Sequence, residues 1–227
     1  MPFSIFDIAG PIMVGPSSSH TAGACKIGQM ARAIFNETPT RADFYLYGSF
    51  GEVYQGHATD RALLAGVLKC WTSDPRIKEA FELAKEKGLE YHFVTVKEKT
   101  PEHHPNTVRI ILKNQKRRLS VVGSSIGGGK VKITQINNIP IDLEASVGRY
   151  FSLLIGHDNR PQVLHPVYGK LIDWGCPITE RKTHSVGQNS LTMLNLENHF
   201  IKLPQALELE KSPGIHFVRA LTRLLKT

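Results

Sequence analysis

The sequence predicts an α/β protein of the α+β kind in two domains, and three observations carry that prediction. Short runs rich in β-branched and aromatic residues alternate with stretches whose apolar residues recur at helical spacing. After residue 146 the order becomes strand, helix, two strands, helix, strand, enough for a unit with its own core. The length of 227 residues suits one large or two small domains. The pattern breaks over residues 142–149, so the expected boundary lies near Val147, with domains 1–146 and 147–227.

The first stretch, residues 8–14, is apolar apart from Gly10-Pro11 and reads as a buried extended segment. It leads into Gly15-Pro16-Ser17-Ser18-Ser19-His20-Thr21-Ala22-Gly23, after which Ala24, Ile27, Ala31, Ile34 and Phe35 recur at helical spacing. The hydroxyls and His20 therefore fall at a helix start. Free backbone N–H groups and the positive end of the helix dipole make such a start suitable for a carboxylate or phosphate. The same field disfavours imidazolium and keeps His20 available as a neutral base. A single serine here would be a cap, but three serines followed by His and Thr exceed what capping uses.

Residues 42–47 read as a strand ending in Gly48-Ser49-Phe50-Gly51. Tyr54-Gln55-Gly56-His57-Ala58-Thr59-Asp60 then leads into a second helix carried by Ala62, Leu63, Ala65, Gly66 and Leu68. His57, beside Thr59 and Asp60 that could orient its ring, is a candidate second acid/base, although a structural histidine is the plainer reading. Asp74-Pro75 opens a third helix over 76–87, with Ile77, Ala80, Phe81 and Ala84 at i, i+3, i+4 and i+7, and Gly88 ends it. A strand follows at 91–96. His103-His104-Pro105-Asn106-Thr107 precedes the strand 108–112; Pro105 holds His104 extended and Asn106 offers both donor and acceptor. Apart from Glu102, no ligand lies at metal spacing from these histidines.

The strand 119–123 runs into Ser124-Ser125-Ile126-Gly127-Gly128-Gly129-Lys130, and 131–136 resumes strand character. The glycines allow either close approach to a ligand or a tight hairpin, and the spacing is not that of a phosphate-binding P-loop. The second domain reads as strand 150–156, helix 161–174, strands 177–185 and 190–196, helix 204–211 and strand 215–221, the split βαβ order of ferredoxin-like folds.

Composition limits the function classes. Hydrophobic residues make up 41% and charged residues 21%, as in ordinary globular proteins, and no run approaches the roughly 18 apolar residues of a membrane span. The opening Met1-Pro2-Phe3-Ser4-Ile5-Phe6-Asp7 lacks a basic region followed by a long apolar stretch, so the cytoplasm is the expected compartment. Cys25, Cys70 and Cys176 are odd in number and widely spaced, which argues against a disulfide framework and against an intrachain metal or iron–sulfur motif. The net charge of +8 is dense only at residues 113–118, between two strand-like runs, where it reads as a solvated hairpin turn. Nucleic-acid binding would require interleaved aromatics that are missing. The positive field suits attraction of small carboxylates or of an acidic partner chain.

The nine residues from Gly15 to Gly23, together with Gly48-Ser49-Phe50, Gly56-His57-Ala58-Thr59-Asp60, His104-Pro105-Asn106-Thr107 and Ser125-Ile126-Gly127-Gly128-Gly129-Lys130, resemble the β chains of bacterial iron–sulfur L-serine dehydratases. The likeness covers Phe3 to about Ala145, and the remainder looks like the ACT regulatory domain that often follows. The resemblance implies a serine dehydratase β-type domain, akin to the allosteric substrate-binding domain of some dehydrogenases, followed by a ferredoxin-like ACT fold. It implies an α-chain partner carrying a [4Fe–4S] cluster on three cysteines, with its open iron acting as Lewis acid, and conversion of L-serine to pyruvate and ammonia. Carried onto this sequence, it implies His20 and His57 as base and proton carrier in undecided order. Ser17, Ser18, Ser19 and Thr21 would cradle the carboxylate, and His104 and Asn106 would position the substrate. It further implies homodimerisation through ACT-like sheet edges. Asp158-Asn159-Arg160-Pro161-Gln162-Val163 departs from the ACT pattern, with Gln162 where effector loops carry glycine, which puts effector binding in doubt. The rival class is a non-catalytic amino-acid sensor, for which the two histidines would be dispensable.

Overall fold

The computed structural model describes residues 13–97, 104–144, 151–197 and 200–220. Most of the expected extended segment at 8–14, and His103, lie outside these residues. The chain divides into two compact units, one of residues 1–137 with 142–145, the other of 138–141 with 146–226.

In the first unit, a wide π-helical turn (Ser18–Gly23) runs directly into α1 (Ala24–Phe35), which Asn36 ends in left-handed conformation. Strand β1 (Arg41–Tyr47) is followed at once by the short helix α2 (Gly48–Val53), where the sequence suggested only a strand end. Helix α3 (Thr59–Val67) matches the expected second helix. The expected third helix is split into a 3-10 turn (Pro75–Glu79) capped by Asp74 and α4 (Ala80–Glu86). Proline at the first helical position and the aspartate cap favour that tight start.

Strands β2 (Glu90–Val96), β3 (Thr107–Lys113), β4 (Arg118–Gly127), β5 (Lys130–Ile136) and β6 (Ile139–Glu144) complete a six-stranded sheet of order β2-β1-β3-β4-β5-β6. β1 and β2 are parallel, joined through the three helices, while β1–β3, β3–β4 and β4–β5 are antiparallel. The basic stretch 113–118 is the β3–β4 turn, in which Asn114 Oδ1 accepts from Lys116 N and Arg117 N at 2.9 Å each. The glycine run forms the β4–β5 hairpin, with Gly128 and Gly129 at φ +58 and +72, the conformation that two-residue hairpin loops require.

Helix α1 packs against the sheet and against α3, and Ile27, Phe35, Phe44, Phe50, Leu63 and Ile110 are all fully buried. Each such side chain contributes about 1.5–3 kcal/mol. The helices meet at glycines: a Cβ on Gly66 would strike the Cys25 carbonyl oxygen and lie 2.9 Å from Gln29 N, and one on Gly28 would strike the Leu63 carbonyl oxygen.

The second unit contains β7 (Phe151–Asp158), α5 (His165–Asp173), β8 (Ile178–Val186), β9 (Asn189–Leu196), α6 (Leu203–Glu210) and β10 (Ile215–Ala220). The sheet order is β10-β7-β9-β8, every neighbouring pair antiparallel. The element order read from the sequence is therefore the observed one. Its core joins Leu153, Ile155, Val167, Leu171, Leu194 and Leu209. β8, at one edge, is exposed along almost its whole length.

Candidate active site

The helix start around Ser17 is the nucleus of the site. Ser17 has extended backbone and its Oγ accepts from His20 N at 3.1 Å, so this serine is the N-cap. The first helical bond runs from Thr21 N to Ser17 O at 2.9 Å, which leaves the N–H groups of Ser18 and Ser19 ahead of the helical ladder. Both serines are half-buried. Thr21 is 1% exposed and its Oγ1 donates to the His57 carbonyl at 3.1 Å, tying the first loop to the second. Gly15 (φ +138) lies so close over Thr21 that a side chain there would strike its methyl group.

His20 and His57 come together. Their ring centroids are 5.0 Å apart, and Phe50 stands edge-on to His20 at 5.4 Å. His20 Nε2 is 3.0 Å from Ser49 Oγ, and its Nδ1 is 3.5 Å from Ser17 Oγ. Burial, and secondly the neighbouring His57, hold the His20 imidazole below its ordinary value, so it is neutral at neutral pH. Ser49 was not singled out as a site residue from sequence; a Gly-Ser-Phe-Gly run directly after a strand was the available signal.

His57 is not oriented by Thr59 or Asp60. Its Nδ1 lies 3.4 Å from the Val53 carbonyl, while Asp60 Oδ1 accepts from Arg61 N at 2.7 Å and Thr59 Oγ1 is buried without a hydrogen-bond partner among the described residues. Burial pushes the Asp60 carboxyl up from its ordinary range. Ala58, directly after His57, adopts φ +54, a conformation alanine takes only where the surroundings hold it.

The third segment abuts the second. Phe50 N donates to Pro105 O at 3.4 Å, and a Cβ on Gly48 (φ +51) would lie 2.7 Å from that same oxygen. Asn106 N donates to His104 Nδ1 at 3.1 Å, so that ring nitrogen is the acceptor and Nε2 is left for a ligand. Asn106 O accepts from Ser125 N at 2.9 Å, and Ser125 Oγ is buried against Gly23 with no partner among the described residues. Lys26 Nζ donates to Gly129 O at 2.9 Å, anchoring the glycine hairpin to α1. All five of the quoted motifs thus support one another around the start of α1.

The cysteines take no part. Cys25, Cys70 and Cys176 are free and buried, and burial pushes the Cys25 thiol up to about 12. Among the described residues no group of three or more His, Cys, Asp and Glu side chains is placed to hold a metal ion, and no helix is long and apolar enough to cross a membrane.

The arrangement can therefore remove a proton with a neutral imidazole while hydroxyl and N–H donors hold an anionic group. Known proteins have similar sequences. Residues 4–135 match the family model described as serine dehydratase beta chain. The chain is 38% identical over 218 residues to the probable L-serine dehydratase beta chain of Bacillus subtilis (strain 168), covering 92% of this chain and 97% of that one. It is 45% identical over 163 residues to the L-serine dehydratase beta chain of Peptoniphilus asaccharolyticus, 71% of this chain and 72% of the other. A shorter match of 72 residues at 40% identity, 30% of this chain and 16% of the other, links it to an L-serine dehydratase of Streptomyces coelicolor. With more than half its length matched by the family model and nearly all of it aligned to a relative, the chain belongs to the serine dehydratase beta chain family.

Proposed function

We propose that this chain is the β subunit of an L-serine ammonia-lyase, which converts L-serine to pyruvate and ammonia together with an iron–sulfur α chain. The single observation that carries the reading is the His20–His57 pair at the hydroxyl-rich start of α1. The carboxylate of serine binds the N–H groups of Ser18 and Ser19 and the neighbouring hydroxyls, with Ser17 and Thr21 holding the loop that presents them. Neutral His20 removes the proton from Cα. His57, 5.0 Å away between ring centroids, carries that proton onward. His104 and Asn106 orient the amino acid. Loss of the β-hydroxyl as water leaves an enamine, which tautomerises to an imine and hydrolyses to pyruvate and ammonia.

The described residues offer no ligand set for a [4Fe–4S] cluster: the three cysteines are buried, and none belongs to a metal-sized group. We therefore assign the cluster to the α chain and derive no step through it. We read the second unit as an ACT-type ferredoxin-like domain, supported by its element order and its β10-β7-β9-β8 antiparallel sheet. The exposed edge strand β8 supports homodimerisation through that domain. Gln162, at φ +62, occupies a backbone conformation that favours glycine, which supports a structural rather than effector-binding role for its loop.

The test is anaerobic pyruvate release by this chain, alone and co-expressed with an α-type partner whose cluster is intact. The expected result is activity only in the pair, lost by about 10²-fold or more in His20→Ala and His57→Ala. No activity in a verified cluster-loaded complex would reject the reading in favour of an amino-acid sensor.

A further inference from the structure

The opposite end of α1 carries a second charged cluster. Arg32, in the last turn of the helix, is only 8% exposed. With Lys69 and Lys87 it lines a cavity of about 230 Å³ whose other walls include Pro39, Val67 and Leu89. The guanidinium has one long hydrogen bond, from Nη2 to Thr38 Oγ1 at 3.5 Å. Three acids near them in the chain are engaged elsewhere, Glu37 with Arg117 at 3.1 Å, Asp74 with Arg76 at 2.6 Å, and Glu90 with Arg41 at 3.3 Å, and Glu86, next to Lys87, is exposed. Among the described residues, none of the three cations forms an ion pair with a carboxylate.

Burying a guanidinium without a counter-charge is costly. The cavity lies where α1 and α3 end, and each helix C-terminus carries roughly half a negative charge. Three whole cations set against two such ends leave an excess of about two positive charges. The Lys69 ammonium feels this directly: Arg32 first, then burial and Lys87, hold it below its ordinary value. Lys69 also sits at φ +69, a conformation disfavoured for a side chain of its kind.

We propose that this cavity binds a small phosphate-bearing anion, either inorganic phosphate or a phosphorylated metabolite, through Arg32, Lys69 and Lys87. Arginine supplies a planar fork matched to phosphate oxygens and the lysines supply mobile point charges. A carbon body, where there is one, lies on Pro39, Val67 and Leu89. The site is distinct from the serine site, since fourteen residues of helix separate Ser18 from Arg32, roughly 20 Å.

The test is calorimetric titration of the full chain with inorganic phosphate and with glycerol 3-phosphate at matched ionic strength. Lys69→Gln and Lys87→Gln alter exposed side chains and keep the fold. Each is expected to weaken binding about tenfold or more, while Lys116→Gln, in the exposed β3–β4 turn, leaves it unchanged. Tighter binding of glycerol 3-phosphate identifies a phosphorylated metabolite as the ligand class, and equal binding identifies inorganic phosphate. Absence of binding by either probe at millimolar concentration, or equal weakening by Lys116→Gln, overturns the proposal. Neither result depends on serine turnover, so it stands or falls separately from the catalytic reading.

Discussion

At the scale of single residues, His20 is held in place by three different kinds of contact. Its backbone N–H meets the cap serine, its Nε2 meets Ser49, and its ring packs between Phe50 and His57. Both causes of its depressed value disfavour the protonated form, so the neutral base persists as pH falls past the ordinary histidine value near 6.5. The ring-proton NMR titration of His20 is therefore expected to have its midpoint below that value. In His57→Ala the midpoint rises, because one cause is removed and burial remains. The linkage has a definite sign: the folded state binds this proton less readily than the unfolded chain. The contribution of His20 to stability is thus complete above the unfolded value and is lost as pH falls through the depressed one. His157, lowered chiefly by burial, acts in the same direction. The sequence made the cap and the position of His20 legible, because both are local. Ser49 was not, since its contact with His20 spans 29 residues and exists only once the start of α2 meets the turn that leads into α1.

Among the elements, the joint between α1 and α3 decides most. Gly28 and Gly66 let the two backbones approach so closely that any added methyl group meets a carbonyl of the other helix. Gly66→Ala is expected to destabilise the protein by about 3 kcal/mol, read as a lower urea midpoint, and to weaken the paired activity through displacement of the segments that both helices begin from. The second unit offers the converse case. Gln162 bears a left-handed backbone, so Gln162→Gly is expected to raise stability by about 1 kcal/mol. That turn also explains a shifted boundary: the sequence suggested a helix from 161, but α5 begins at His165, after the left-handed residue. Apolar periodicity identified α1, α3 and, within one longer expected helix, α4 of the first unit, while the helices of the second unit were read from the order of elements. It missed α2, whose six residues bury only Phe50 and so show no period to read.

Across the whole molecule, each unit contains buried thiols, Cys25 and Cys70 in the first and Cys176 in the second. None is expected to react with a thiol reagent in the native chain, and all three are expected to react in denaturant; a fast-reacting native thiol would contradict the burial described above. The expectation of two domains rested on two different element orders that follow one another in the sequence. A partner chain was an expectation from resemblance alone, since nothing in periodicity or spacing announces one. The hydrogen bond from Thr21 to the His57 carbonyl bears on how such a partner would assemble with this chain. Because the two histidine segments are pinned to one another before any contact is made, the face they form is already set. Docking onto a preformed face forfeits little chain entropy, so the speed of assembly is governed by encounter and orientation, and its persistence by how slowly the two chains come apart.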